Sequence, residues 1–389
     1  MIPDPLQGLK VALVHDWLTG LRGGERVLDC LAQAFPQAHL FTLLKTGRIT
    51  PAVDSLDLTC SPAQRLPGLK RYYRHYLPLY PWAVGRLDLE GYDLVISTSH
   101  CVAKGAKAPP GALHLSYVFT PMRYIWDMFP VYFGNRGPLV RVVMGGLAPA
   151  LRAWDVRTCE RVDVFSCISH HVARRIKRHW GVEAAVIHPP VEMDRFRLGE
   201  AGDYYLVVSA LAPYKGVELA VRAANRAGFR LKIAGDGQER RYLESLAGPG
   251  VEFLGRVEDE EVARLYAGCR AFIFPGEEDF GITPLEALAS GKPVLALGRG
   301  GILETVTPLN PEPAPADPPP VPGRAPGGVF FYEETPEDLI KALELLEKSY
   351  HLFDPAKLRR NAAAFDRPVF LDRFLAFAAQ AWQDHRDRR

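Results

Sequence analysis

The chain has 389 residues, 48% of them hydrophobic and 24% charged, a globular balance that excludes disorder of the whole chain and suits two or three domains. Net charge is only +2, but it is unevenly placed: residues 1–190 carry 22 Lys and Arg against 14 Asp and Glu, leaving the second half acidic. No run of about 18 apolar residues occurs, which excludes an expected membrane-spanning helix. The opening segment 1–9 is broken by Pro3, Asp4 and Pro5 and lacks the basic-then-apolar order of a secretory signal. Six cysteines are scattered without a C-x-x-C pair, which argues against a disulfide framework or zinc cluster and fits a reducing cytosol.

Short β-branched and aromatic runs recur along the chain at 11–15, 40–43, 94–97, 113–119, 162–168 and 185–188. They recur again at 205–209, 231–234, 251–254, 271–274, 294–297 and 329–332. Apolar runs of this length with helical segments between them predict buried parallel strands in βαβ units. Two consecutive sets predict an α/β chain of two doubly wound, Rossmann-like domains, 1–190 and 191–367, with the boundary near His188-Pro189-Pro190. Segment 308–326 has nine prolines in 19 residues and is expected to be an extended loop inserted in the second domain. Thr335-Pro336-Glu337-Asp338 has the form of a helix start, with Thr as N-cap and Pro at N1. Phe370, Phe374, Phe377 and Ala381 fall on one face of a last helix, about 368–389, expected to pack back on the first domain.

Residues 65–86 form a basic and aromatic stretch with no acid between Arg65 and Arg86. That composition suits an anionic membrane surface and a lipid-diphosphate acceptor. A basic surface helix is the plainer alternative, and no nucleic-acid-binding motif accompanies the stretch.

The chemistry concentrates where predicted strands end, the place at which ligands sit in open α/β sheets. Strand 271–274 runs into Pro275-Gly276-Glu277-Glu278-Asp279-Phe280-Gly281-Ile282-Thr283-Pro284-Leu285-Glu286. Here Thr283 is expected to cap a helix with Pro284 at N1 and Glu286 at N3, and the N–H groups of that helix start suit phosphate. Strand 205–209 leads to Lys215-Gly216 at a second helix start. A cation there opposes the helix dipole, a penalty that a phosphate ligand would reverse. Strand 11–15 leads to Gly23-Gly24 at a third, which could cradle phosphate.

Glu278-x7-Glu286 with Phe280-Gly281, continuing through Ala287 to Val294 and Gly300 to Val306, resembles the donor-sugar motif of the family 4 retaining glycosyltransferases. The resemblance implies the GT-B fold, two doubly wound Rossmann-like domains facing a cleft. It implies that Glu286 holds the nucleotide ribose, Glu278 the transferred sugar, the amides of Phe280, Gly281, Ile282 and Thr283 the sugar and diphosphate, and Lys215 the diphosphate. Gly23 and Gly24 would approach that diphosphate, and Gly235 and Arg256 would lie where the nucleotide passes. Thr120-Pro121-Met122-Arg123-Tyr124-Ile125-Trp126-Asp127 is similar to a narrower group, the O-antigen and capsule glycosyltransferases, many of them mannosyltransferases; Arg123, Tyr124 and Asp127 are then acceptor-side residues. The chain departs from the pattern twice. Ala210 stands where the family usually has Arg, for which Arg256 or Arg299 are candidate substitutes, and Phe119 stands where it commonly has His, for which His100 is the candidate.

The resulting expectation is a transferase moving a hexose, mannose favoured, from a GDP- or UDP-linked sugar to a glycan or lipid-linked acceptor. Lys215, Glu278 and His100 are its candidate catalytic residues. No metal is expected, since no D-x-D occurs; no cofactor or nucleic acid is expected either, and a cytoplasmic place at the inner face of a membrane is. A nucleotide-sugar-binding protein that has lost catalysis and a sugar-nucleotide epimerase are the alternatives.

Overall fold

The structure, a computed structural model, describes residues 2–130, 137–311 and 324–389. Most of the proline-rich segment 308–326 therefore lies outside the described residues. The chain divides into two compact units, Met1–Pro190 with Pro368–Arg389, and Val191–Arg367.

In the first unit the strands are β1 (Val11–His15), β2 (His39–Thr42), β3 (Asp57–Cys60), β4 (Leu94–Ser99), β5 (Leu113–Val118), β6 (Val164–Cys167) and β7 (Ala185–Val186). They pair in the order β3-β2-β1-β4-β5-β6-β7, every neighbour parallel. β1, β4 and β5 are buried along their whole length, as strands covered by helices on both faces must be. β3 has no apolar run, because it is a partly exposed edge strand.

The second unit holds β8 (Tyr204–Val208), β9 (Arg230–Ala234), β10 (Val251–Gly255), β11 (Ala271–Phe274), β12 (Val294–Leu297) and β13 (Gly328–Phe331), in the all-parallel order β10-β9-β8-β11-β12-β13. In each sheet the strand order reverses once, between β1 and β4 and between β8 and β11. These are the switch points outside whose carboxyl ends an open sheet binds ligands.

The helix Arg367–Asp387 completes the first unit rather than the second. Its Phe370 and Phe374 meet the edge of Tyr117 of β5 with ring centroids 5.8 and 5.9 Å apart. The basic stretch is not one helix but a chain of short turns, Leu69–Tyr72, Tyr73–Leu79 and Tyr80–Val84. Leu69, Tyr73, Leu77, Tyr80, Ala83 and Val84 anchor it in the core, while Arg65, Lys70, Arg71, Tyr72, Arg74, Leu79, Trp82 and Arg86 stay exposed.

Candidate active site

The second unit builds its site from the loops after β8 and β11. Beyond β8 the chain turns through Pro213–Lys215, and Gly216 opens the helix Val217–Ala227 with φ of +64°. Beyond β11, Gly276 passes so close to this turn that a Cβ on it would stand 2.7 Å from the Lys215 carbonyl carbon. This contact locks the two loops together across the switch point. It brings Lys215 Nζ to 2.6 Å from Glu278 Oε1. Lys215 thus has a carboxylate partner, which offsets the dipole penalty expected from its position. The Glu278 carbonyl is held in turn by the Gly301 N–H at 2.8 Å.

The helix after this loop is Ile282–Ala289, with Gly281 (φ +98°) as N-cap. This corrects the expected cap: Thr283 is the second residue inside the helix, and Glu286 is the fifth, two positions past N3. Glu286 therefore makes no capping box. Its carboxylate is buried and Tyr266 Oη donates to Oε2 at 3.1 Å. Burial, with Glu286 beside it, raises the Tyr266 pKa well above its ordinary range. The Phe280 ring is buried, with its centroid 5.8 Å from that of Phe365, so this residue offers a ligand its backbone. Ile282 and Thr283 are half-buried at the helix head, where backbone N–H groups point outward.

Gly235 follows β9 one strand away, and a Cβ there would strike the Ser209 carbonyl oxygen at 1.8 Å. Arg256 follows the edge strand β10 and is exposed, two strands removed from β8. Arg299 is engaged by Glu334 at 2.9 Å and by the Tyr332 carbonyl at 2.7 Å. The structure thus gathers Lys215, Glu278, Phe280–Thr283 and Glu286 at one switch point and leaves Arg256 apart.

The first unit's switch point is organised by Asp16, which the sequence reading missed. Its buried carboxylate accepts the backbone N–H groups of His100, Cys101, Val102 and Ala103 at 2.7–2.8 Å. Asp16 Oδ2 also lies 3.2 Å from His100 Nδ1, and the Trp17 ring packs edge-on against His100. Burial lowers the His100 pKa; Asp16 opposes that, while Arg22 and Arg74 add to it. Gly23 and Gly24 begin the helix Gly23–Ala34, and Gly24 faces Phe119 and His15. The following Glu25 is buried, which raises its pKa to about 7. His15 closes β1 with Nδ1 2.7 Å from Thr98 Oγ1. The signal for these residues was a polar His-Asp pair directly at the end of an apolar strand.

Tyr124 Oη lies 2.7 Å from Cys101 Sγ, which ties it to the same loop; Arg123 beside it is half-buried. Asp127 is engaged by Arg175 Nε at 2.7 Å and His179 Nε2 at 2.9 Å. Partial burial works against its carboxylate, but these two neighbours outweigh it and hold the pKa below the ordinary range. Asp127 thus ties its loop to the helix His170–Trp180 while its side chain stays partly open to solvent.

Residues 21–195 match the family model described as Glycosyltransferase Family 4, and residues 191–364 match Glycosyl transferases group 1. The GDP-mannose-dependent alpha-mannosyltransferase of Mycolicibacterium smegmatis is 33% identical over 178 residues, 42% of this chain and 47% of that protein. The O-antigen chain mannosyltransferase C of Escherichia coli is 30% identical over 122 residues, 30% of this chain and 33% of that protein. The chain spans less than half the length of the curated relatives it matches. The sucrose-phosphate synthase of Thermosynechococcus elongatus, at 15% identity, superposes with a TM-score of 0.71 over 96% of this chain and 100% of that one. Two doubly wound parallel sheets with this likeness define the GT-B class of fold. The chain belongs to the family 4 glycosyltransferases.

Proposed function

We propose that the protein transfers a hexose, mannose favoured, from a nucleotide-diphosphate sugar to a glycan or lipid-linked acceptor with retention at the anomeric carbon. The observation that carries this is the Lys215–Glu278 pair at 2.6 Å, beside the head of the helix Ile282–Ala289 and above the buried Glu286. An ammonium and a helix N-terminus together suit a departing diphosphate. Carboxylates at Glu278 and Glu286 suit the vicinal hydroxyls of a hexose and a ribose. Donor phosphate would exchange with Glu278 for Lys215 and free the carboxylate for the sugar. The mannosyltransferases among the relatives favour mannose and a guanosine nucleotide, and the O-antigen enzyme favours a polysaccharide acceptor.

In this reading the acceptor hydroxyl attacks the anomeric carbon from the face the diphosphate leaves. The carbon–oxygen bond to phosphate breaks as that to the acceptor forms, and the hydroxyl proton passes to the departing phosphate oxygen. The residues position the reactants and stabilise developing charge. Turnover of GDP-mannose and UDP-hexoses by the wild type, Lys215→Ala and Glu286→Ala tests this. A loss of about 100-fold or more is expected in each variant, and equal turnover in all three would refute the site.

We assign the acceptor side to the first unit, near His100 and Tyr124, and a peripheral membrane contact to its exposed face, at the inner surface of the membrane. Tyr72, Leu79 and Trp82 lie open there among Arg65, Lys70, Arg71, Arg74 and Arg86, a mixture suited to anionic lipid headgroups. Among the described residues no helix is long and apolar enough to cross a membrane. A second reading, a nucleotide-sugar-binding protein without turnover, is favoured by one observation: the Phe119 ring packs against Gly24 where the family commonly has a histidine. Donor binding in calorimetry with no transfer would establish it.

A further inference from the structure

His15 ends β1 at the switch point of the first unit, and its side chain is 1% exposed. Its Nδ1 lies 2.7 Å from Thr98 Oγ1, and that hydroxyl donates to the Val14 carbonyl at 3.4 Å. Thr98 has one hydrogen to give, so it accepts from His15 Nδ1–H. In the tautomer with Nδ1–H donating to Thr98, Nε2 carries a lone pair. Among the described residues this buried Nε2 has no hydrogen-bond partner. Buried acceptors are rarely kept without one.

The surroundings of the ring show where a partner would enter. A Cβ at Gly24 would stand 3.6 Å from His15 Cε1 and 3.3 Å from Phe119 Cε2. Glycine at this position places no side chain over the Cε1 edge of the buried imidazole. The Phe119 ring meets His15 edge-on at 6.4 Å and forms an apolar wall. His100, the imidazole that follows the neighbouring strand β4, is committed to Asp16 instead. Burial lowers the His15 pKa to about 3, so the ring stays neutral and its lone pair available at physiological pH.

We propose that His15 Nε2 accepts a hydrogen bond from a sugar hydroxyl of the reacting substrates, so that β1 supplies the imidazole contact that Phe119 does not. This deepens the transferase reading and rests on it. The hydroxyl belongs either to the acceptor or to the transferred hexose, and kinetics separate the two.

His15→Asn keeps an amide donor near the Nδ1 position for Thr98 and removes the atom at Nε2, whereas His15→Gln reaches the Nε2 position and gives up the Thr98 bond. With thermal unfolding as the control, His15→Asn is expected to raise the KM of one substrate about 3–10-fold. A rise for the acceptor assigns the hydroxyl to it, a rise for the donor assigns it to the hexose, and unchanged values for both overturn the proposal. His15→Gln is expected to recover part of the loss. A second measurement needs no variant and no turnover: the 15N signals of labelled histidine in the full chain, titrated with methyl α-mannopyranoside. Movement of the His15 Nε2 resonance supports the contact, and an unmoved resonance at saturation of the titration overturns it. A wild type that turns over no nucleotide sugar would defeat the transferase reading, and the imidazole signal would still decide the role of His15.

Discussion

Lys215 and Glu278 are 17% and 24% exposed, and an ion pair so open to solvent contributes about 0–1 kcal/mol to stability. Lys215→Ala should therefore leave the denaturant midpoint nearly unchanged while removing donor turnover. A large drop in stability would show the pair to be a structural clasp. Glu25 offers a test of the opposite kind. Burial raises its pKa from an ordinary 4.5 to about 7, so between those values the folded chain holds a proton that the unfolded chain has released. Stability is then greatest below the lower value and declines as pH rises through 7. The shift corresponds to about 3 kcal/mol at full ionisation. Glu25→Gln should flatten this slope and raise the melting temperature at pH 8 but not at pH 5. At this scale the sequence was legible where motif and chemistry coincide, at Lys215, Glu278 and Glu286. It was silent on Asp16, because a carboxylate that gathers backbone N–H groups from a loop 84 residues away leaves no local pattern.

Loops held by backbone contact set the geometry of elements around both switch points. At Gly276 a side chain would collide with the Lys215 backbone, so Gly276→Ala should displace the Lys215 turn and lower kcat/KM about 100-fold. An unaffected variant would show that the loops are not locked. The central strands carry a pH liability as well. His114 of β5 is buried between the Arg161 carbonyl at 2.7 Å and Ser97 Oγ at 2.9 Å, and burial lowers its pKa to about 4. The unfolded chain takes up its proton near 6.5 and the folded chain much lower, so stability is full above 6.5 and is lost as pH falls toward 4. Urea midpoints measured from pH 7 down to pH 4 should fall, and should fall by less in His114→Gln. Where helices bury both faces the apolar runs gave β1, β11 and β12 to the residue and β4 and β5 to within one or two residues. The partly exposed β3 carries no such run, and β7 shrinks to two residues at the other edge. The helix start at Gly281 was misplaced at Thr283 because a cap made by a glycine φ of +98° has no side-chain signature.

For the whole molecule, the membrane contact and the closing helix can be tested separately. Trp82 is 55% exposed among the basic residues of the first unit. Trp82→Ala should weaken sedimentation with anionic vesicles and leave binding to neutral vesicles as it was; equal sedimentation would remove this face from the membrane. Phe374 is fully buried against Tyr117, and Phe374→Ala should cost about 3–5 kcal/mol, read as early melting of the first unit. The two-unit organisation was visible in the sequence because the βαβ pattern starts afresh after Pro190.

The placement of the helix Arg367–Asp387 has a consequence for biosynthesis. On the ribosome the second unit, continuous from Val191 to Arg367, emerges whole, whereas the first is interrupted by it and lacks its last helix until translation reaches Pro368 and beyond. The usual order, in which the leading domain matures first, is then reversed: β5 waits with Tyr117 uncovered until the 177 residues Val191–Arg367 and the start of the last helix are made. A nascent chain stalled before residue 368 should expose that aromatic surface to chaperones or proteases, and releasing the stall should hide it.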